Sequence, residues 1–350
     1  MDSTISHLVR ACVIGALLGL ISFLLIWRAQ PIPPVVSAAW FSPAPTLAPV
    51  VSMQSGGTLV ASDHPIRLLF VGDVMLDRHV AEKIRTSGDP AYPFRRLPLG
   101  WFDSFDFAVA NLEGPVTSRS RPPLKSIDFR FEIYTAKTLK DLGIDAISQA
   151  NNHTLDQGAV GFEESRATLR EQGLLVFGHQ VRDDEIALAT TTVRGVRFAF
   201  LGFNTTDNPF DEKAAERVIR QAREQADHVV VFMHWGTEYR NRPNSDVVAR
   251  AHWLIDRDVD AVIGGHPHWV QGIESYRGKP IAYSLGNFVF DQYFSRETQE
   301  GLTVALVFDH GRISVEPIPI NMDKSQPRLL DGEEKERRLR ALMDISASFP

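Results

Sequence analysis

At 350 residues and 44% hydrophobic content the chain has the material for one large packed domain or two ordinary ones, which excludes a disordered protein. A formal charge of -6, with no stretch where basic residues interleave with aromatics, makes nucleic acid a poor partner. The single cysteine, Cys12, excludes an internal disulfide and a cysteine-built zinc site.

From Ala11 to Trp27 no residue is charged, and with Leu8 and Val9 the run approaches bilayer-spanning length. This predicts a single transmembrane helix, a cytoplasmic-membrane anchor within residues 1–28 that inserts through residues 8–28. A retained anchor is favoured over a cleaved signal peptide, because the small-residue site Val36-Ser37-Ala38 lies well downstream. Arg10 and Arg28 flank the span almost evenly and do not set its orientation. Residues 29–62 hold Pro31, Pro33, Pro34, Pro43, Pro45 and Pro49 and read as a semi-rigid stalk holding an extracytoplasmic domain away from the membrane.

Short apolar, β-rich runs follow at Ile66–Val71, Phe107–Ala110, Ile144–Ile147, Phe198–Phe203, Val229–Phe232 and Ala261–Ile263, each predicted as a buried strand. Helix-like stretches at Lys137–Leu142, Gly161–Glu171, Lys213–Gln225 and Val247–Arg257 alternate with them, which argues an α/β class. Farther on, Thr303–Phe308, the His310-Gly311 turn and Ile313–Ile318 predict a hairpin, so the α/β fold has an antiparallel part. Residues 63–325 read as one domain. Residues 326–350 read as a charged tail with a solvated helix over Asp331–Leu342.

Polar groups gather where the strand-like runs end. Asp73 follows Phe70-Val71-Gly72, Glu113 comes soon after Val109-Ala110, and His234 follows Val231-Phe232-Met233 directly. Asn151-Asn152-His153 and His266-Pro267-His268 occupy the same kind of place after two other runs. Each alone has a bland explanation: a turn, an Asx turn or helix cap, a hydrogen-bonded core histidine, a polar loop. The set outweighs these, because ligand crevices of α/β sheets open beyond the strands' carboxyl ends, and imidazole with carboxylate suits first-row divalent metals.

Six motifs in order then resemble one family: Gly72-Asp73-Val74-Met75-Leu76-Asp77-Arg78; Asn111-Leu112-Glu113; Asn151-Asn152-His153 with Asp156 and Gly158; His234-Trp235-Gly236 with Glu238-Tyr239; Gly265-His266-Pro267-His268 with Gln271; and Ser284-Leu285-Gly286-Asn287-Phe288 with Asp291. Together they resemble the CapA-type poly-γ-glutamate capsule-synthesis family, a branch of the calcineurin-like metallophosphoesterases. The resemblance implies a four-layer αββα sandwich of two mixed sheets. It places Glu113 between two metals, with Asp73 and His268 on one and Asn152, His234 and His266 on the other, the ions being manganese, iron or zinc. It further implies that His153 is an acid outside the ligand set, with Asp156 orienting it, while Arg78 contacts substrate oxygens.

Two departures bear on metal count. Met75 stands where the broader superfamily has a histidine, and Glu113 stands for its bridging aspartate, so one ion or two both fit. The readings that follow are a membrane-anchored factor of capsule or exopolymer biosynthesis acting on an anionic polymer alongside other capsule-synthesis proteins; an extracytoplasmic metal-dependent phosphoesterase on a glycan, lipid or nucleotide phosphate; and a non-catalytic, metal-stabilised binding module. Arg119, Arg121, Lys125 and Arg130 are the candidate surface for a polyanion, with a solvated basic loop as the plain alternative.

Overall fold

Strand β1 (Ile66–Val74) is apolar on both faces, and alternate residues therefore face two different cores. In this computed structural model, which describes residues 64–347 except Leu124, β1 is central to an eight-stranded mixed sheet. On one side lie the parallel neighbours β2 (Phe107–Leu112), β3 (Ala146–Ser148) and β4 (Leu175–Phe177). On the other, β12 (Glu300–Asp309), β13 (Arg312–Asp323) and β14 (Gln326–Leu329) run antiparallel in a meander. The expected hairpin is β12–β13, and its turn places His310 at φ 43 and Gly311 at φ 77, the left-handed pair that a two-residue hairpin needs.

A second sheet has the order β5 (Leu188–Val193), β6 (Val196–Asn204), β7 (His228–His234), β8 (Ala261–Gly265), β10 (Lys279–Ala282), β9 (Ile273–Tyr276). Its β6, β7, β8 and β10 are mutually parallel, while β5 and β9 pair antiparallel at the two edges. Leu68 and Phe70 of β1 join Phe198, Phe200, Val230, Phe232 and Ile263 in one buried cluster, so the two sheets face each other across it. Rings interlock there, Phe107 stacking on Phe200 at 5.4 Å and Phe70 lying 6.3 Å from it. Phe70 and Phe200, fully removed from water, each contribute about 2 to 3 kcal/mol to folding.

The opposite face of the larger sheet, with Leu69 and Val71, is covered by α1 (Arg78–Ser87), α2 (Tyr134–Asp141) and α3 (Gly158–Glu171) through Val80, Ile84, Ala136, Leu139 and Leu169. Helices α4 (Glu212–Gln225) and α5 (Ser245–Ile255) pack on β6, β7 and β8 of the other sheet. The mixed α/β class is as expected. Strand β3 starts at Ala146, not at Ile144, because the Ile144 N–H is still bonded to Leu139 O and Gly143, at φ 92, closes the end of α2.

The charged C-terminal helix forms as α6 (Gly332–Ser346), four residues beyond its expected end, and it is not wholly solvated. Leu342 enters the core between the sheets, and the buried Ser346 hydroxyl accepts the Ile273 N–H at 2.9 Å. The predicted anchor and stalk lie outside the described residues. Among those described, no helix is long and apolar enough to cross a membrane.

Candidate metal centre

The parallel strands of both sheets deliver their carboxyl ends to one place. Asp73, one residue from the end of β1, sits opposite Asn287, where β11 (Asn287–Val289) joins β1 in parallel. The approach is so close that a Cβ at Gly72 would lie 2.0 Å from Gly286 O, and one at Gly265 would lie 2.6 Å from Asp73 Oδ1. Backbone bars any side chain at Gly72, and one at Gly265 would displace the Asp73 carboxylate.

Glu113 follows β2 and is held by its N–H bonding to Val74 O at 2.9 Å. One donor atom each of Asp73, Glu113 and His268 lie within 4.8 Å of one another, all three residues buried. His234, the last residue of β7, places Nε2 2.9 Å from Asn152 Oδ1, and its ring is 4.8 Å from that of His266. Donors about 2.1 Å from a shared first-row ion at right angles are separated by about 3 Å, so the His234–Asn152 spacing fits joint ligation.

The orphaned atoms give the sharper test. Glu113 Oε1 and Oε2 are both buried without a hydrogen-bond partner, and so is His266 Nδ1. A buried carboxylate with neither oxygen satisfied is costly by several kcal/mol unless a cation balances it. The donor set therefore fits a divalent ion.

The charges point the same way. Burial pushes the Glu113 carboxyl well up, with Asp73 adding to it. Burial also opposes ionisation of Asp73, yet the hydrogen bond from His268 and the neighbouring imidazoles bring it down to about 2. His268 resists burial because Glu113 and Asp73 lie beside it, and it is pushed up to about 9. Burial depresses His234 far below its usual range and His266 to about 3. Two carboxylates and three imidazoles crowded into one buried place are what donors arranged around a cation present.

Neighbouring amides aim the donors. The Asn287 amide donates to Gln292 Oε1 and Thr298 O, each at 3.0 Å, so its Oδ1 accepts from His268 Nδ1 at 2.9 Å. His268 Nε2 is left 4.0 Å from Glu113 Oε1. Asn111 donates to Asp73 Oδ1 at 2.8 Å, accepts from Asn151 at 3.0 Å and lies 3.3 Å from His234 Nδ1. Asn111 and Asn287 fall within the sequence motifs without an expected role of their own; their position beside the predicted donors is the signal that points to them. Met75 supplies no donor, being packed in the outer core with its sulfur accepting the Asp77 N–H at 3.1 Å.

His153 stands where the resemblance expects an acid. Its Nδ1 is 2.7 Å from Asp156 Oδ2, its ring lies 4.2 Å from Phe129, and its Nε2 is 4.0 Å from Glu113 Oε1. Asp156 Oδ2 also accepts the Phe129 N–H at 2.7 Å. Burial keeps His153 below its usual range despite the Asp156 hydrogen bond. Arg78, at φ 50, pairs with Asp291 and lies 5.1 Å over Phe129, which brings the guanidinium to the wall that carries His153.

Much of the expected basic surface is engaged locally. Arg121 donates to Asp156 O at 2.7 Å and Leu155 O at 2.9 Å, Lys125 pairs with Asp156, Arg119 with Glu164 and Arg130 with Glu132.

The profile of the family described as "Bacterial capsule synthesis protein PGA_cap" matches residues 67–292. The chain is 31% identical over 283 residues to the PGA biosynthesis protein CapA of Bacillus subtilis, spanning 76% of this chain and 74% of that one. It is 28% identical over 316 residues to the capsule biosynthesis protein CapA of Bacillus anthracis, spanning 84% of this chain and 74% of the other. A solved hypothetical protein from Thermus thermophilus is 19% identical, with a TM-score of 0.48, covering 73% of this chain and 98% of that one; so distant a likeness bears on no functional point.

Proposed function

Because the chain belongs to the bacterial capsule synthesis protein family PGA_cap, we propose that it is a membrane-anchored accessory of capsule or exopolymer biosynthesis whose folded domain, outside the cytoplasmic membrane, is a metal-dependent phosphoesterase of the metallophosphoesterase sandwich type. The observation that carries the enzymatic part is Glu113, a fully buried carboxylate with two unpartnered oxygens among Asp73, His268 and the other donors.

Asp73, Glu113 and His268 would hold one ion, and Asn152, His234 and His266 would complete a second position that shares Glu113. Divalent ions bound there would polarise phosphoryl oxygens and make water a better nucleophile. The chain's own part is positional. Asp156 accepts the Nδ1–H of His153 and turns Nε2 toward the pocket; a ring that has taken up a second proton from solvent can give its Nε2–H to a departing oxygen and return to the neutral form. Arg78, steadied by Asp291, can offer guanidinium hydrogens to an anionic group at the rim. A group placed to donate a proton has no use in a purely structural metal site, which favours turnover over a passive binding module. Substrates of this reading are phosphate esters met during polymer synthesis, export or attachment.

The test is elemental analysis of the full chain purified in detergent without chelators, followed by a screen of phosphate esters. One or two manganese, iron or zinc ions per chain with hydrolysis that chelator abolishes would support the reading. A chain that takes up no metal after reloading would sink its enzymatic part.

A further inference from the structure

We propose that the rim of the metal centre carries a stacking platform, made by Tyr239, Trp269 and Phe294, for the ring of an organic phosphate, a pyranose or a nucleobase. The inference rests on the phosphoester reading and names the part of the substrate that reading leaves open.

Three loops meet at this rim: Tyr239 follows β7, Trp269 follows β8 and Phe294 follows β11. The Tyr239 ring is 6.0 Å from His268, 6.5 Å from Trp269 and 5.2 Å from Phe294, the last meeting it edge-on at 85°. Its hydroxyl accepts from Gln292 at 3.2 Å and its N–H bonds to Pro267 O at 2.9 Å, so the ring is tied to the loop bearing His266 and His268.

A single exposed phenylalanine is ordinary. Phe294, however, is 66% exposed while leaning on a second aromatic whose backbone is strained. Tyr239 sits at φ 58, a region that non-glycine residues hold only at a cost, and His266 at φ 93, His268 at φ 56 and Arg78 at φ 50 share it. The strain at Tyr239 therefore clusters with the centre, unlike that of His310 in its hairpin turn. Aromatic faces beside a phosphate site recognise rings, by π-stacking on a base or by contact with the apolar face of a sugar. A poly-γ-glutamate chain has no such ring to offer.

The experiment uses the full chain loaded with Mn²⁺ and compares glucose 1-phosphate and uridine 5′-monophosphate with glycerol 3-phosphate, which has no ring. At least one ring-bearing ester is expected to bind about tenfold more tightly. Phe294→Ala should bring that ratio toward one, while Val160→Ala, a similarly exposed apolar residue on α3, should leave it unchanged. Equal affinities in the wild type, or a ratio that survives Phe294→Ala, would overturn the platform. Methyl glucopyranoside and uridine, read by saturation-transfer NMR, separate this idea from the phosphoester reading. If no phosphate binds but one of these contacts the chain in a Phe294-dependent way, the platform stands and the phosphoester reading falls. If neither ring binds, the platform falls whatever the phosphates do. The ring that binds identifies the source.

Discussion

Lys125 and Asp156 meet at 2.6 Å, and the same ammonium reaches the Asn152 carbonyl, also at 2.6 Å. One cation thus spans both ends of the turn that carries His153, holding a proposed donor and the partner of the proposed acid together. Lys125→Met is expected to weaken Mn²⁺ binding and phosphoester turnover about tenfold each, as loss of a supporting contact around a metal site does. It should also speed amide exchange over residues 152–156. Exchange indistinguishable from wild type would show that the clamp does nothing.

Glu113→Gln removes a buried charge but keeps the shape. In chelator the variant should melt higher than wild type, since an unpaired carboxylate no longer has to be buried. With Mn²⁺ the order should reverse, because ligand binding stabilises with the logarithm of its excess over Kd, about 2.7 kcal/mol at a hundredfold. Equal metal-induced shifts in Tm for the two proteins would remove Glu113 from the ligand set.

His153→Ala should leave metal content intact and reduce turnover by about 10² to 10⁴, the usual worth of a positioned proton donor. Asp156→Asn should do less, because the imidazole stays and loses only the negative charge of its partner. The discriminating comparison uses esters of decreasing leaving-group pKa: the defect in His153→Ala should shrink as the leaving group needs less protonation. A constant defect across the series would deny His153 the role of acid.

Away from the centre, burial pushes the Asp183 carboxyl up to about 6. It accepts the N–H of Asp211, the residue that caps α4. A carboxyl whose folded pKa lies above its unfolded value keeps its proton longer in the native state, so stability falls as pH rises from about 4 to about 6. Asp183→Asn retains an acceptor for Asp211 and loses the titration. The variant should gain about 1 to 3 kcal/mol over wild type at pH 7 and little at pH 4, measured by urea unfolding. A gain independent of pH would contradict the assignment.

The centre was legible because apolar runs of strand length stop abruptly at Asp73, near Glu113 and at His234, and the period of the strands puts such residues at one edge. Asn111 was harder to read: an asparagine inside Ala110-Asn111-Leu112 has no periodic signature, and its links to Asp73 and His234 exist only once three strands are aligned. Helix α1 escaped notice since only Val80 and Ile84 of its ten residues are buried. Strands β9, β10 and β11 have three or four residues each, and what makes them strands is the partner alongside. The length of α6 depended on Leu342 and Ser346 finding a core that the helix's own charges do not announce.

The pocket takes both carboxylates from one sheet and all three donor imidazoles from the loops and strand end of the other. An ion bound there would be a rivet between two halves that elsewhere meet mainly through oil-like contact. A relative without the proposed chemistry would keep an interest in the rivet, and would keep the counterparts of Asp73, Glu113 and His268 for mechanical reasons. His153 bonds to Asp156 in its own turn and is not among the proposed donors, so its presence or loss is the better sign of the proposed turnover.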